Sequence, residues 1–370
     1  MNFLSKALIK LFLSLFLFAT AVGMNFVTFP AVLLKNGVNP AKIGLLSSFE
    51  IAGGILMSLI LGNILKKIPI KYFLPITAVL YSFLVAFIFF CKNFYLWAAI
   101  IFAIGACWVA YVVIRQALVN MLVEDKNRGI VTGIYSMVIS IGLGLGPLIV
   151  KFSGAQDYIS FLISSFFIIV SFLVLERPKT KGSDPFTKEK GSDPFFEVGD
   201  NKKANFLFFL KTNPKCFLAR FFFDLQNFCL LSFGVVFGKK IGFSAENSGL
   251  LITAFMASFF ADIVVGIILK KHSADKILNI GFIGYLTCIC FIAICHSSYQ
   301  ILLLAYFTLG IFAACIYVST IVMANNFYKK DQLVLANAAL QSAGSSGSFF
   351  GGLIGGILIQ FFDASGYLIT

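Results

Sequence analysis

The chain has 370 residues, of which 59% are hydrophobic and 12% charged. No soluble core needs that much apolar surface, so the composition excludes an ordinary water-soluble domain and points to a chain that crosses a membrane many times. The net charge of +13 does not indicate nucleic-acid binding, because the basic residues are dispersed at the ends of apolar segments rather than gathered in one patch.

Eleven apolar segments are long enough to span about 30 Å of hydrocarbon. They run roughly over 7–34, 41–65, 70–91, 94–121, 129–153, 157–176, 214–238, 245–269, 274–295, 299–326 and 333–361. The first follows Lys6 and Lys10, and Ala19-Thr20-Ala21 imitates a signal-peptidase site. Its apolar run continues to Leu34 and more spans follow, so it reads as an uncleaved helix. Ahead of the second, Asn39 is placed to cap and Pro40 to occupy the first helical position. Ser244 is placed to cap the eighth.

These segments divide the chain into a six-helix bundle over 1–176, a linker over 177–213 and a second bundle over 214–370 with five helices and the start of a sixth. The linker is polar and Lys-rich, and its Lys-Gly-Ser-Asp-Pro-Phe run recurs at Lys181–Phe186 and Lys190–Phe195, a low-complexity pattern. If the N-terminus is inside, the inner segments carry 21 of the 29 Lys and Arg and the outer loops 6, with Arg115 and Arg220 inside spans. The positive-inside rule therefore predicts a cytoplasmic N-terminus.

The halves are related by an internal repeat. Gly62-Asn63-Ile64-Leu65-Lys66-Lys67, closed by Leu74, recurs 204 positions on as Gly266-Ile267-Ile268-Leu269-Lys270-Lys271, closed by Leu278. Lys35-Asn36-Gly37 and Gly44-Leu45-Leu46 recur at a spacing of 205 as Lys240-Ile241-Gly242 and Gly249-Leu250-Leu251. Duplication in so apolar a chain predicts an all-α polytopic protein built from two pseudo-symmetric six-helix bundles, the architecture of many transporters. After Asp363 only seven residues remain, whereas Asp157-Tyr158-Ile159 opens a full sixth helix at the matching place of the first half. The expectation is eleven spans, with the twelfth helix missing.

The residues resemble the major facilitator superfamily in three places. In the loop after the second span, Gly62, Ile64, Lys67, Lys71 and Leu74 fit the family pattern, while Lys66 stands where the family has Asp and Pro69 where it has Gly. In span five, Gly133, Gly142 and Gly146-Pro147 are spaced as in the fifth-helix motif of drug–proton antiporters, with Val150-Lys151 in place of its trailing Gly-Gly. Asp125-Lys126-Asn127-Arg128-Gly129 is similar to the family's loop before that helix. Trp108-Val109 and Asp331-Gln332-Leu333-Val334 with Asn337 look like a little-studied bacterial branch. The resemblance implies a multi-pass bacterial inner-membrane transporter in which two bundles rock about a midplane site. It also implies gating pairs of Lys66 and Lys67 with Glu124 or Asp125, and of Lys270 and Lys271 with Asp331, and contact between the bundles through span five. Gly142 and Gly146, and likewise Gly347, Gly351 and Gly355, are four apart and admit close helix packing whichever neighbour they face; Pro147 can bend its helix.

Ionisable groups within spans cost roughly 2.5–3.5 kcal/mol each on insertion scales, so each needs a reason. Glu50 lies mid-span with Gly54 one turn on and is a candidate proton carrier, or a fixed partner of Arg115. Arg115 is a candidate anion ligand or counter-ion to Glu50. Arg220 and Asp224 are four apart and suit a local pair. Asp262 is placed to pair with Arg220 or Lys270. Asn25, Thr28, Asn120, Gln226, Asn227 and Asn325 are candidates for the substrate cavity, helix–helix hydrogen bonding being the equal alternative; Asn120 and Asn325 are 205 apart, as in the repeat.

No Ser/His/Asp set, metal cluster or phosphate-binding loop is present in the sequence, so no enzymatic activity, metal or cofactor is expected. The eight cysteines lie in or beside apolar segments with no zinc spacing. The expected partners are a small solute, protons or another coupling ion, and the lipid bilayer, with the chain acting as a monomer. The expected activity is proton-coupled efflux of small, partly apolar compounds. The alternatives are proton-coupled uptake of a small anion or nutrient, and a truncated remnant that does not transport.

Overall fold

The computed structural model describes residues 6–122, 128–174, 211–294, 298–327 and 333–363, and these residues form helices joined by short turns. In the first half they are α1 (Lys6–Lys35), α2 (Pro40–Lys67), α3 (Ile70–Ile88), α4 (Phe94–Leu122), α5 (Arg128–Ser153) and α6 (Tyr158–Leu173). In the second they are α7 (Pro214–Lys240), α8 (Ala245–Ala257), α9 (Ala261–Ile268), α10 (Ala274–Ile294), α11 (Tyr299–Phe327) and α12 (Leu333–Phe362). The linker with its Lys-Gly-Ser-Asp-Pro-Phe repeat, up to residue 210, lies outside the described residues, as does the chain beyond Asp363.

Local chemistry sets the helix starts. Asn39 accepts from Lys42 N at 2.9 Å with Pro40 behind it, and Ser244 accepts from Asn247 N at 3.1 Å. Asn213 and Pro214 open α7 in the same manner. The exits of α1 and α7 are the same turn. Gly37 and Gly242, 205 apart, take φ of 74° and 96°, the left-handed region that favours glycine. Each turn closes with one i→i−3 and one i→i−5 hydrogen bond, from Gly37 to Leu34 and Val38 to Leu33, and from Gly242 to Lys239 and Phe243 to Gly238.

The repeat extends to the helix crossings. Gly142 of α5 lies against the Phe16 carbonyl of α1, and Gly347 of α12 lies against the Phe221 carbonyl of α7. Gly105 of α4 lies against the Glu50 carbonyl of α2, and Gly310 of α11 lies against that of Phe255 of α8. Every partner in these pairs is displaced by 205, and at each crossing a Cβ would overlap backbone of the facing helix. Without a hydrophobic drive between helices in lipid, such close approach is what holds a bundle together. The outer surface is apolar, with Leu59, Phe166 and Ile283 each more than 60% exposed, as lipid contact requires.

Nine helices are long and apolar enough to cross a membrane among the described residues, counting α8 to α9 as one. The third and sixth are shorter, with apolar stretches over Tyr72–Ile88 and Tyr158–Leu173. The eighth span departs from the continuous helix expected over 245–269. It breaks into a 3-10 turn at Ser258–Phe260, where the Ser258 hydroxyl donates to the Phe255 carbonyl at 2.6 Å and competes with the helical ladder. The matching stretch of α2 carries Gly53-Gly54 and runs unbroken.

The halves meet at the end that carries the α1–α2, α5–α6 and α7–α8 turns. Gly44 of α2 packs on Gly352 and Gly356 of α12, and the Ser48 hydroxyl donates to the Phe349 carbonyl at 2.8 Å. Ala41 N donates to Gln360 Oε1 at 3.3 Å. Between α5 and α8, Thr253 Oγ1 donates to the Gly144 carbonyl at 2.7 Å, and Ala155 N donates to Glu246 Oε1 at 3.1 Å. Toward the other end, α12 exposes Gln341 and Ser342, polar groups that suit a water-filled vestibule rather than lipid.

This packing settles which neighbour each glycine faces. Gly142 and Gly146 face α1 of their own half, and Gly347, Gly351 and Gly355 face α7 of theirs. Contact between the halves falls instead to Gly144 and Pro147 on α5 and to Gly352 and Gly356 on α12, which sit on the adjoining helix face.

Gly142→Val and Gly347→Val push side chains into facing backbone, so each should lower stability by about 1–3 kcal/mol or more. Thermal unfolding in detergent reads this loss. Gly266→Val is the control, since a Cβ there meets nothing within 4 Å. In a background cleared of native cysteines, Ser48→Cys with Gly352→Cys should form a disulfide across the closed end. After proteolysis in the linker the two halves should then migrate together on a gel; separate fragments would contradict the described contact.

Candidate functional site

Between the halves lies a partly open pocket with about 460 Å³ of empty space, open solvent included. Helices α1, α2, α4 and α7 supply its walls, so both halves contribute. Its polar groups are Asn25, Ser47, Glu50 and Ser232, and most of the remaining lining is apolar, with Phe26 and Phe29 on α1. Glu50 follows the start of α2 by ten residues, about 15 Å along the axis, which puts it at mid-depth. It carries the lining's only charge, and no cation or hydrogen-bond donor among the described residues compensates its carboxylate.

The Asn25 amide is held from two sides. Its Oδ1 accepts from Ser164 Oγ of α6 at 2.9 Å, and its Nδ2 donates to Tyr81 Oη of α3 at 3.5 Å. Ser164 also donates to the Ala21 carbonyl at 3.1 Å. Serine on α6 thus fixes α1 where it borders the cavity. Phe29 is fixed by Trp97 edge-on and by Phe161 stacked, each with ring centroids 6.0 Å away.

Arg115 lies away from this cavity. It is fully buried among α1, α4 and α6, where Nη2 donates to Tyr111 Oη and, at 3.3 Å, to the Ser171 carbonyl. Its guanidinium sits 3.6 Å from the Tyr111 ring centroid and 5.5 Å from that of Phe18. Nε and Nη1 make no hydrogen bond. Glu50 packs beside Gly105, and Arg115 lies ten residues further along α4, about 15 Å away along the helix. The Glu50–Arg115 pair is therefore not formed.

Arg220 and Asp224 form the expected i, i+4 pair on α7, both buried. Tyr317 of α11 covers the guanidinium at 4.3 Å, and Gly344 of α12 leaves room for the carboxylate. Asp262 forms neither expected pair. It opens α9 against α11, near Cys315, while Arg220 is engaged by Asp224 and Lys270 is exposed beyond the helix end. Its Oδ1 is buried without a hydrogen-bond partner.

Of the remaining cavity candidates, Thr28 Oγ1, Gln226 Oε1 and Asn227 Oδ1 are buried without hydrogen-bond partners, outside this lining. Asn325 is exposed and accepts from Asn337 Nδ2 at 2.9 Å, tying α11 to α12. Gly62 and Gly266 are half-buried, and Lys67, Lys270 and Lys271 are exposed. Glu124, Asp125 and Asp331 lie outside the described residues, as do the side chains of Lys66, Lys71, Asn120 and Arg128 and the surroundings of Gly133; the two gating pairs therefore fall outside them too. Sequence reasoning missed Ser232, Tyr81 and Ser164. All three sit in largely apolar runs, and only the fold brings them toward Asn25 and Glu50.

The coordinates resemble the crystal structure of the nucleoside transporter NupG, with a TM-score of 0.81, 13% identity, and 99% of this chain and 95% of that chain covered. They also resemble a bacterial homolog of the human lysosomal transporter Spinster in an inward-facing, unoccupied conformation, with a TM-score of 0.74, 14% identity, and coverage of 98% and 84%. At such identities the likeness is one of fold. Comparison with curated proteins gave no match. The family model of the Major Facilitator Superfamily matches residues 11–215 and 216–370, one match to each half. With its duplicated helices and a cavity between them, the chain belongs to the major facilitator superfamily.

Proposed function

We propose that this protein is a proton-coupled exporter of small, partly apolar compounds. The superfamily fold supports secondary transport by alternating access, in which two bundles expose a central site to each side in turn. The distribution of Lys and Arg supports a cytoplasmic N-terminus in a bacterial inner membrane. The closed end then faces outward, and the end that exposes Gln341 and Ser342 faces the cytoplasm, the side from which an exporter loads.

One observation carries the coupling assignment. Glu50 is a lone carboxylate at mid-depth in the cavity shared by both halves, with no cation among the described residues to neutralise it. An intramembrane acid without a partner is the group best suited to take and release a coupling proton. Efflux rather than uptake is favoured by the spacing of Gly133, Gly142 and Gly146-Pro147. Uptake of an anion at Arg115 loses its support, because that guanidinium is enclosed within the first half.

Everted vesicles from a strain stripped of efflux pumps provide the test. Addition of a transported compound should release protons in the wild type, and Glu50→Gln should reduce this coupled flux at least tenfold while counterflow of a neutral compound persists. Unchanged coupling in Glu50→Gln would sink the assignment.

A further inference from the structure

We propose that the cavity binds a small organic monocation with an apolar body, a protonated amine or quaternary ammonium, with Glu50 as its counter-ion. This rests on the reading that the cavity is the transport site, and it names the charge class of what that site takes.

Charge balance comes first. Among the described residues Glu50 is the lining's one ionisable group, and no Lys, Arg or His borders the cavity. Arg115 is about 15 Å along α4, Arg220 is bound to Asp224, and Lys42 lies over the Phe94 ring at 5.7 Å. An anionic solute would add a second negative charge to an uncompensated one. A zwitterion would bring a carboxylate that no side chain in the lining can pair. A neutral solute would leave a proton to neutralise the carboxylate, with nothing in the solute to displace that proton. A monocation resolves the imbalance.

The walls suit the same ligand. Phe26 and Phe29 present rings, and an ammonium group is drawn to a ring face as well as to a carboxylate. Ser47 and Ser232 offer hydroxyl oxygens as acceptors. Asn25 is committed to Ser164 and Tyr81, so it shapes the wall without supplying a free cation.

The repeat supplies the remaining observation. At the crossing of α2 and α4, Gly105 packs on the backbone of Glu50; 205 residues on, Gly310 packs on the backbone of Phe255. Phe255 is fully buried. The crossing is therefore satisfied by an apolar side chain, and packing does not require the acid. Its charge serves something that enters the cavity.

A proton and the cation then compete for one carboxylate. Asn25 of α1, Ile101 of α4 and Ser232 of α7 line the cavity with Glu50, Tyr81 of α3 is within electrostatic reach of it, and Gly105 of α4 lies on its backbone. On the side toward α12, Ser48 is engaged by the Phe349 carbonyl. Tyr81 is the one titratable neighbour among these, and it is buried. Acidification should therefore weaken cation binding through Glu50.

The test uses the full chain in lipid nanodiscs and three probes of one size: benzyltrimethylammonium, its neutral isostere neopentylbenzene, and benzenesulfonate. Equilibrium binding should favour the ammonium at least tenfold over either other probe, and its affinity should fall toward tenfold per pH unit at acid pH. Glu50→Gln should abolish the preference, and Glu50→Asp should keep part of it. Equal binding of ammonium and isostere by folded wild type would overturn the proposal. So would a preference that survives in well-folded Glu50→Gln. If Glu50→Gln does not fold, the wild-type pH series decides, and an affinity constant from pH 5 to 8 would overturn it. The two readings fail separately. Loss of proton coupling in Glu50→Gln without any cation preference sinks this inference alone, whereas a Glu50-dependent cation preference with proton coupling unchanged in that variant sinks the proton assignment alone.

Discussion

In a bilayer, helices gain no hydrophobic free energy from meeting one another, so they associate where their backbones can approach closely. Four glycines meet that need here. Gly142 on Phe16 and Gly347 on Phe221 join the first and fifth helices of each half, and Gly105 on Glu50 and Gly310 on Phe255 join the second and fourth. Each contact in one half is the other half's contact displaced by 205 residues. The cavity wall, the depth of Glu50 and the faces left free for contact between halves follow from these crossings. Once Gly142 and Gly347 are occupied within their halves, the neighbouring Gly144, Gly352 and Gly356 face outward from each bundle and close one end.

On this symmetric frame the charges are placed asymmetrically. Glu50 has an apolar counterpart in Phe255. Arg115 is surrounded by tyrosine, serine and phenylalanine, and Arg220 is satisfied by Asp224 and Tyr317. The second half thus neutralises its buried cation internally, whereas the first half keeps a carboxylate and a guanidinium apart, about 15 Å along α4. Such separation leaves the carboxylate to a mobile partner, a proton or a cationic solute, and this ties the two proposals to one side chain.

Much of the fold was legible in the sequence because it depends on local chemistry and on the repeat. The caps at Asn39 and Ser244 and the span limits need only near neighbours. The Arg220–Asp224 pair was legible for the same reason, being one helical turn long. Which helix each glycine faces was not, since Gly142 and Gly144 differ by two residues yet pack on different halves. Ser258 reads as an ordinary helical serine, and only its contact with Gly310 reveals a break in the span. The cavity was half visible: Glu50 and Asn25 stand out as polar groups in apolar runs, while Ser232 acquires meaning only when α7 is laid beside α2. Pairing Glu50 with Arg115 failed because membership of neighbouring helices does not fix depth.

Closure at one end and charge at mid-depth must be linked if the two bundles exchange conformations as a carrier. The shared element is α2, which carries Gly44 and Ser48 at the closed end and Glu50 in the cavity, less than two turns further on. Spin-label distances between positions 41 and 360, across that end, measured at pH 5 and pH 8, test this link most directly. The predicted result is two distance populations whose ratio changes with pH in the wild type and stops changing in Glu50→Gln. A single distance, or a ratio that responds to pH equally in both proteins, would contradict it.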